Sequence, residues 1–315
     1  LESIIIPENV TLIDTHLFHC CTSLHRVTLL GNITMIERWS FHSCISLNYI
    51  TIPNSVNSIR FFAFLNCSSL QSIVIPEKVT VIDIYCFQYY SSMNSITFLG
   101  NITLIEQYAF CFCKSLKNIT IPKSVLYIKE FAFGNCSNLE SITIPENVTV
   151  IENSVFSSCN CLKSITFLGN ITTINQNSFE KCESLELITI PQSVTTIKSR
   201  AFSECKSLKS FEIPEKVTVI ENYTFYSCSS LFSIIIHGNI TRFENYAFQY
   251  SNLYFFIYFG IENPIYEGDI FIDSHVDTVY VTPEYHDDNF CTYPVSLYSD
   301  SIFSITEIIE ANTQT

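Results

Sequence analysis

Residues 139–160 read LESITIPENVTVIENSVFSSCN, and Leu162 then opens the same pattern again. Its apolar positions are Leu139, Ile142, Ile144, Val148, Ile151 and Phe156, with Pro145 between the third and fourth and Cys159 near the end. Ile142 and Ile144 flank Thr143, the period of a strand with one face in and one face out. Val148 and Ile151 predict a second short extended stretch. Between it and Phe156 there is room for about one turn of α- or 3₁₀-helix. So few inward groups cannot bury themselves alone, but copies stacked on one another share one core.

Outward from this stretch the copies continue in both directions. Phe18, Phe41, Phe64, Phe87, Phe110, Phe133, Phe156, Phe179, Phe202, Phe225 and Phe248 recur at every twenty-third position without insertion or deletion. A period of this size held over eleven copies predicts a solenoid, whose usual product is a long surface for holding another molecule. Gly31, Gly100, Gly169 and Gly238 stand three such intervals apart, while Pro7, Pro53, Pro76, Pro122, Pro145, Pro191 and Pro214 punctuate the other coils. Glycine permits a positive φ and proline fixes a negative one, so the two turns should differ in backbone shape. From Tyr254 the phenylalanine–cysteine pair disappears. The expected organisation is a solenoid over 1–253 and a C-terminal cap over 254–315, with Val276, Val279 and Val281 in a degenerate strand and a last strand at 302–309. The chain opens on Leu1, already inside a coil, which predicts that residues precede it.

The pattern resembles the leucine-rich repeat, and its 23-residue form with Ile-Pro, phenylalanine and cysteine is similar to the BspA-like class. That resemblance implies an α/β leucine-rich-repeat solenoid, a right-handed superhelix of about eleven coils with a parallel β-sheet, short helical or 3₁₀ turns and a cap. It implies a surface or secreted protein that adheres to host extracellular matrix or to other cells, with no cofactor. An intracellular leucine-rich-repeat scaffold in the cytoplasm is the alternative, compatible with free core thiols.

Several columns of this stack carry polar or aromatic groups. Cys113, Cys136, Cys159 and Cys182 belong to a column expected to be buried with the phenylalanines, Phe110, Phe133, Phe156 and Phe179 among them. Similar repeats place a small side chain there whose polar atom meets the turn backbone. Thr97, Thr120, Thr143 and Thr166 line the outward face of the first strand, which in similar repeats is the concave sheet that most often binds partners. A half-exposed strand favours threonine without any partner. Trp39, Phe62, Tyr85, Tyr108 and Phe131 form an aromatic stripe. It is either a seam between second strand and helical turn or, if exposed, an interaction patch. Asp14, Glu37, Arg60, Asp83, Glu106 and Lys129 begin a column of mixed charge on a solvated face.

Asn9, Asn32, Asn101, Asn147, Asn170 and Asn239 share one turn position, each followed two residues later by threonine, and are candidate N-glycosylation sites. The repeat itself places that threonine, so the six motifs are not independent. The net charge is −14, and no lysine or arginine follows Arg242. With no basic stripe to replace phosphate counterions, nucleic-acid binding is not expected. No apolar run reaches a membrane span. The histidines lie beside no paired nucleophile, no cysteine or histidine set has zinc spacing, and Asp269, Asp273, Asp277, Asp287 and Asp288 match no calcium loop. Neither an enzyme nor a metal site is expected on these grounds.

Overall fold

The computed structural model describes residues 1–299; the strand expected at 302–309 lies outside them. The chain divides into two compact units, Leu1–Val148 with Glu152–Leu162, and Thr149–Ile151 with Lys163–Thr315. Each is a stack of parallel β-coils.

In the first unit, strand Ser3–Ile6 pairs with Arg26–Leu29 and that strand with Tyr49–Thr51, all parallel. The register is one full repeat at every step, Ser3 beside Arg26 and Arg26 beside Tyr49. A second parallel ladder joins Leu12–Ile13, Met35–Ile36 and Ser58–Ile59. Because the register equals the repeat, like residues stack on like. The Phe18-to-Phe156 column is buried, with neighbouring rings 5.0–5.8 Å apart and planes within 16° of parallel. Offset stacking at this spacing is favourable for aromatic rings.

The second unit repeats the plan, with Phe179, Phe202, Phe225 and Phe248 at 5.3–5.7 Å. Its ladder runs on past residue 253. Phe255–Tyr258 pairs parallel with Ser233–Ile236, Val279–Val281 pairs with Phe255–Tyr258, and Tyr293–Leu297 pairs with Val279–Val281. Among the described residues, the short strand Asn289–Phe290 pairs antiparallel with Tyr293–Leu297. Phe256, Tyr258 and Phe290 fill the interior where the phenylalanine–cysteine pair is missing. The segment expected as a cap therefore begins as further coils.

The helical turns are a correction: the described residues contain no α- or 3₁₀-helix. In the first coil Leu17, His19 and Cys21 donate their N–H groups back three residues, to Asp14, His16 and Phe18, at 3.1–3.2 Å. The alternate residues Phe18 and Cys20 donate instead to Ser40 and His42 of the next coil, both at 2.8 Å. A helix would consume every N–H within its own segment. Here half of them bind the neighbour, and two residues per coil from His16 to Tyr250 take positive φ of 54–64° to make this possible.

The glycine turns are a second correction, since Gly268 is the one described glycine with positive φ. A Cβ at Gly100 would lie 1.9 Å from the Glu77 carbonyl oxygen, and one at Gly238 would lie 2.0 Å from that of Glu215. The coils approach backbone to backbone at these points, and only glycine leaves room. Gly100→Ala should cost about 1–3 kcal/mol in chemical denaturation. Lys123→Ala, one coil further along the same column and exposed, should stay within about 0.5 kcal/mol of wild type.

Candidate partner-binding surfaces

The aromatic stripe lies entirely in the first unit and occupies the first of the two positive-φ positions of each coil. Trp39, Phe62, Tyr85, Tyr108 and Phe131 have φ of 55–62°. Bulky side chains rarely sit there, because the left-handed region costs a residue with Cβ about 1–2 kcal/mol. The rings recover part of that by stacking: Trp39 on Phe62 at 4.2 Å, Phe62 on Tyr85 at 4.8 Å, Tyr85 on Tyr108 at 4.7 Å and Tyr108 on Phe131 at 5.0 Å. All four pairs are within 11° of parallel.

All five side chains are partly buried. Since each ring covers its neighbour's face, the ladder offers ring edges outward rather than flat π surfaces. Edges suit the apolar and aromatic side chains of a protein surface. Sugars, flat bases and cations need an open face, and at the Trp39 end of the stack His16 covers it at 5.9 Å, 13° from parallel. At the ladder's margin Phe61 packs edge-on against Phe62 at 5.5 Å, with the Arg38 guanidinium 5.9 Å from its ring centre. Tyr89 and Phe112, on the other positive-φ position, form a second stacked pair at 5.0 Å with Lys114 beside it. The sequence column did not reveal this pair, because apart from Tyr250 only these two coils carry rings there. Buried Ser154 ends the main stripe.

Thr97, Thr120 and Thr143 are exposed in the first unit, as is Thr166 in the second. Thr120 and Thr143 join Ser95, Asn118 and Ser141 around a shallow depression of about 390 Å³. This face is polar and short of anchors. Its aromatic feature is Tyr49, with Arg26 4.7 Å above the ring and the Thr51 hydroxyl donating to the Tyr49 hydroxyl at 3.0 Å.

The cysteine column is interior. Cys44 Sγ donates to the Phe18 carbonyl at 3.0 Å, and Cys113, Cys136 and Cys159 donate to Phe87, Phe110 and Phe133 at 3.2 Å. The Phe18, Phe110 and Phe133 carbonyls also accept a turn N–H, so there the thiol satisfies the second lone pair. Cys182 is equally buried, and none of the fourteen cysteines forms a disulfide. Burial pushes the Cys44 and Cys228 thiols up to about 12, which removes them as nucleophiles at neutral pH.

The six sequon asparagines are exposed. Their threonines also tie the coils together, for the hydroxyls of Thr34, Thr103 and Thr241 donate to the carbonyls of Thr11, Thr80 and Thr218 in the preceding coil. Asn147 Nδ2 is engaged with the Lys123 carbonyl at 3.1 Å, whereas Asn239 uses only its Oδ1, accepting from the Ile261 N–H at 2.7 Å. The acidic residues near the C-terminus do not converge. Asp269 binds the Tyr293 hydroxyl and Asp273 binds Gln249. Among the described residues they form no cluster of ligand atoms.

The profile of the BspA type leucine rich repeat region matches residues 1–110, 82–191 and 159–277, in six copies. No curated protein matches the chain significantly. Among solved structures, a leucine-rich repeat protein from Bacteroides ovatus is similar over 95% of this chain and 84% of its own, at 23% identity and a TM-score of 0.58. One from Eubacterium ventriosum covers 80% of this chain and 83% of its own, at 23% identity and a TM-score of 0.50. A leucine rich cell surface protein from Faecalibacterium prausnitzii is 27% identical over 85% of this chain and 80% of its own, with a TM-score of 0.49. The first two likenesses show the fold. No catalytic family matches.

Proposed function

This chain belongs to the BspA-type leucine-rich repeat family, and from that premise we propose that it is a non-enzymatic adhesion protein of the cell surface. It binds proteins of the host matrix or of other cells through the aromatic ladder of the first unit. The observation that carries this reading is the run of five partly exposed rings on backbone positions that disfavour them. Conformational cost retained at a surface is a mark of function. The threonine face of the first unit, with Thr97, Thr120 and Thr143, serves as a secondary contact surface, as does the corresponding position Thr166 in the second. Exposed Asn9, Asn32 and Asn101 of the first unit and Asn170 and Asn239 of the second would carry glycans at the same turn of their coils.

The test exploits the backbone. Asparagine tolerates positive φ better than tyrosine, and Asn177 already fills this column in the second unit. Tyr85→Asn with Tyr108→Asn should keep the fold, read by circular dichroism and melting temperature. Binding to immobilised matrix extract or intact host cells should fall at least tenfold. Unchanged binding would move the interaction to another face.

One observation favours the cytoplasmic scaffold instead: even the exposed Cys20 is free, as suits a reducing compartment. Digestion of cell-derived protein with an N-glycosidase separates the two readings. The surface reading expects a large mobility shift, with Asn147 the least occupied site because its nitrogen is already engaged. An unshifted band would favour the scaffold.

A further inference from the structure

His19 and Cys20 are neighbours in the first coil, and His42 holds the position of His19 in the second. One ligand atom from each lies within 4.8 Å of the others. The His19 and His42 rings stack at 4.8 Å, 20° from parallel, and Cys20 Sγ lies 3.8 Å from His19 Nε2. The Cys20 N–H donates to the His42 carbonyl at 2.8 Å, so the three ligands sit on one hydrogen-bonded pair of turns. Cys20 has φ of 56°, which directs its side chain from the left-handed position. Trp39 walls the group, edge-on to His42 at 4.9 Å and to His19 at 6.4 Å, and His16 packs edge-on to His19 at 5.2 Å.

We propose that His19, Cys20 and His42 bind a zinc-class divalent cation, with the fourth tetrahedral position open to solvent or to a partner's side chain. Two imidazoles and a thiolate form a donor set suited to Zn²⁺. Ligand atoms around a tetrahedral zinc stand about 3.5 Å apart, which side-chain rotation reaches from the observed spacing. A second observation concerns the His42 ring: its Nδ1 is buried and makes no hydrogen bond, while its Nε2 lies 3.4 Å from Ser43 Oγ. Repeat duplication does not account for the group. The same two columns hold Leu65–Asn66 and Gln88–Tyr89 in the next coils. The linear spacing conceals it, because the full repeat that separates the histidines in sequence is one circuit of the coil.

The experiment uses the whole chain under reducing conditions, titrated with Zn²⁺ by calorimetry and with Co²⁺ by absorption. The expected result is one tight site per chain and a thiolate-to-cobalt charge-transfer band. Cys20→Ser should abolish the band, and His19→Gln and His42→Gln should each weaken zinc binding at least about tenfold. Cys21→Ser and His25→Gln should leave both readouts unchanged, with circular dichroism confirming that every variant is folded. The absence of the cobalt band, or a zinc affinity unmoved in Cys20→Ser and His42→Gln, would overturn the assignment.

Discussion

Phe133→Ala should lower the stability of the first unit by about 3–5 kcal/mol. The ring is fully buried and lies between Phe110 at 5.4 Å and Phe156 at 5.8 Å. Removing it opens a void, and two stacked contacts disappear with the buried apolar area. The turn around it cannot collapse to fill the gap, because the Phe133 N–H donates to Val155 and its carbonyl accepts from Cys136 and Cys159. Thr143→Ala, on the exposed face of the strand Ser141–Ile144, should cost well under about 1 kcal/mol. Denaturant melts of the two variants decide the matter. Equal losses would mean that the inward and outward faces are not as described.

The second large effect is an alkaline loss of stability. Burial pushes Cys228 up to about 12, against about 8.5 in an unfolded chain. Cys67, Cys86, Cys113 and Cys205 are raised in the same direction by the same cause. The folded state therefore holds protons that the unfolded chain releases. For Cys228 that contribution to stability is complete below about pH 8.5 and falls by about 1.4 kcal/mol per pH unit until about pH 12, and the other buried thiols act in the same direction. With several such thiols in the stack, urea midpoints should drop steeply between about pH 9 and 11. Cys228→Ser should make that slope shallower by one thiol's share. A serine hydroxyl does not ionise in this range and can still donate to the Phe202 carbonyl that Cys228 reaches at 3.1 Å. A pH profile as steep in the variant as in wild type would remove the buried thiol as its cause.

Much of the coil is legible in the chain because burial repeats under one constraint. Phe110, Phe133 and Phe156 meet the same neighbours at the same spacing, so the same residue recurs, and the isoleucines and cysteines follow for the same reason. The turn was not legible. Its first positive-φ position holds His16, Trp39, Phe62, Tyr85, Ser154, Asn177 and Arg200, and bulky residues of this kind argue locally against such a backbone. The hydrogen bonds that impose it reach into the next coil, where no local rule looks. Gly100 likewise marks a close approach to Glu77 rather than a conformation of its own. Beyond residue 253 the strand at Val279–Val281 was legible, but Phe255–Tyr258 escaped because Tyr258 and Phe290 fill the interior without keeping the spacing.

From its residues alone this chain specifies a 23-residue coil, its inward columns and its family, since each rests on side chains that pack against copies of themselves. Tertiary structure alone decided that the turns are not helical, that the aromatic rings turn their edges outward, and that His19, Cys20 and His42 meet. Those outcomes depend on contacts between coils, where one circuit of the chain brings residues a full repeat apart into touch.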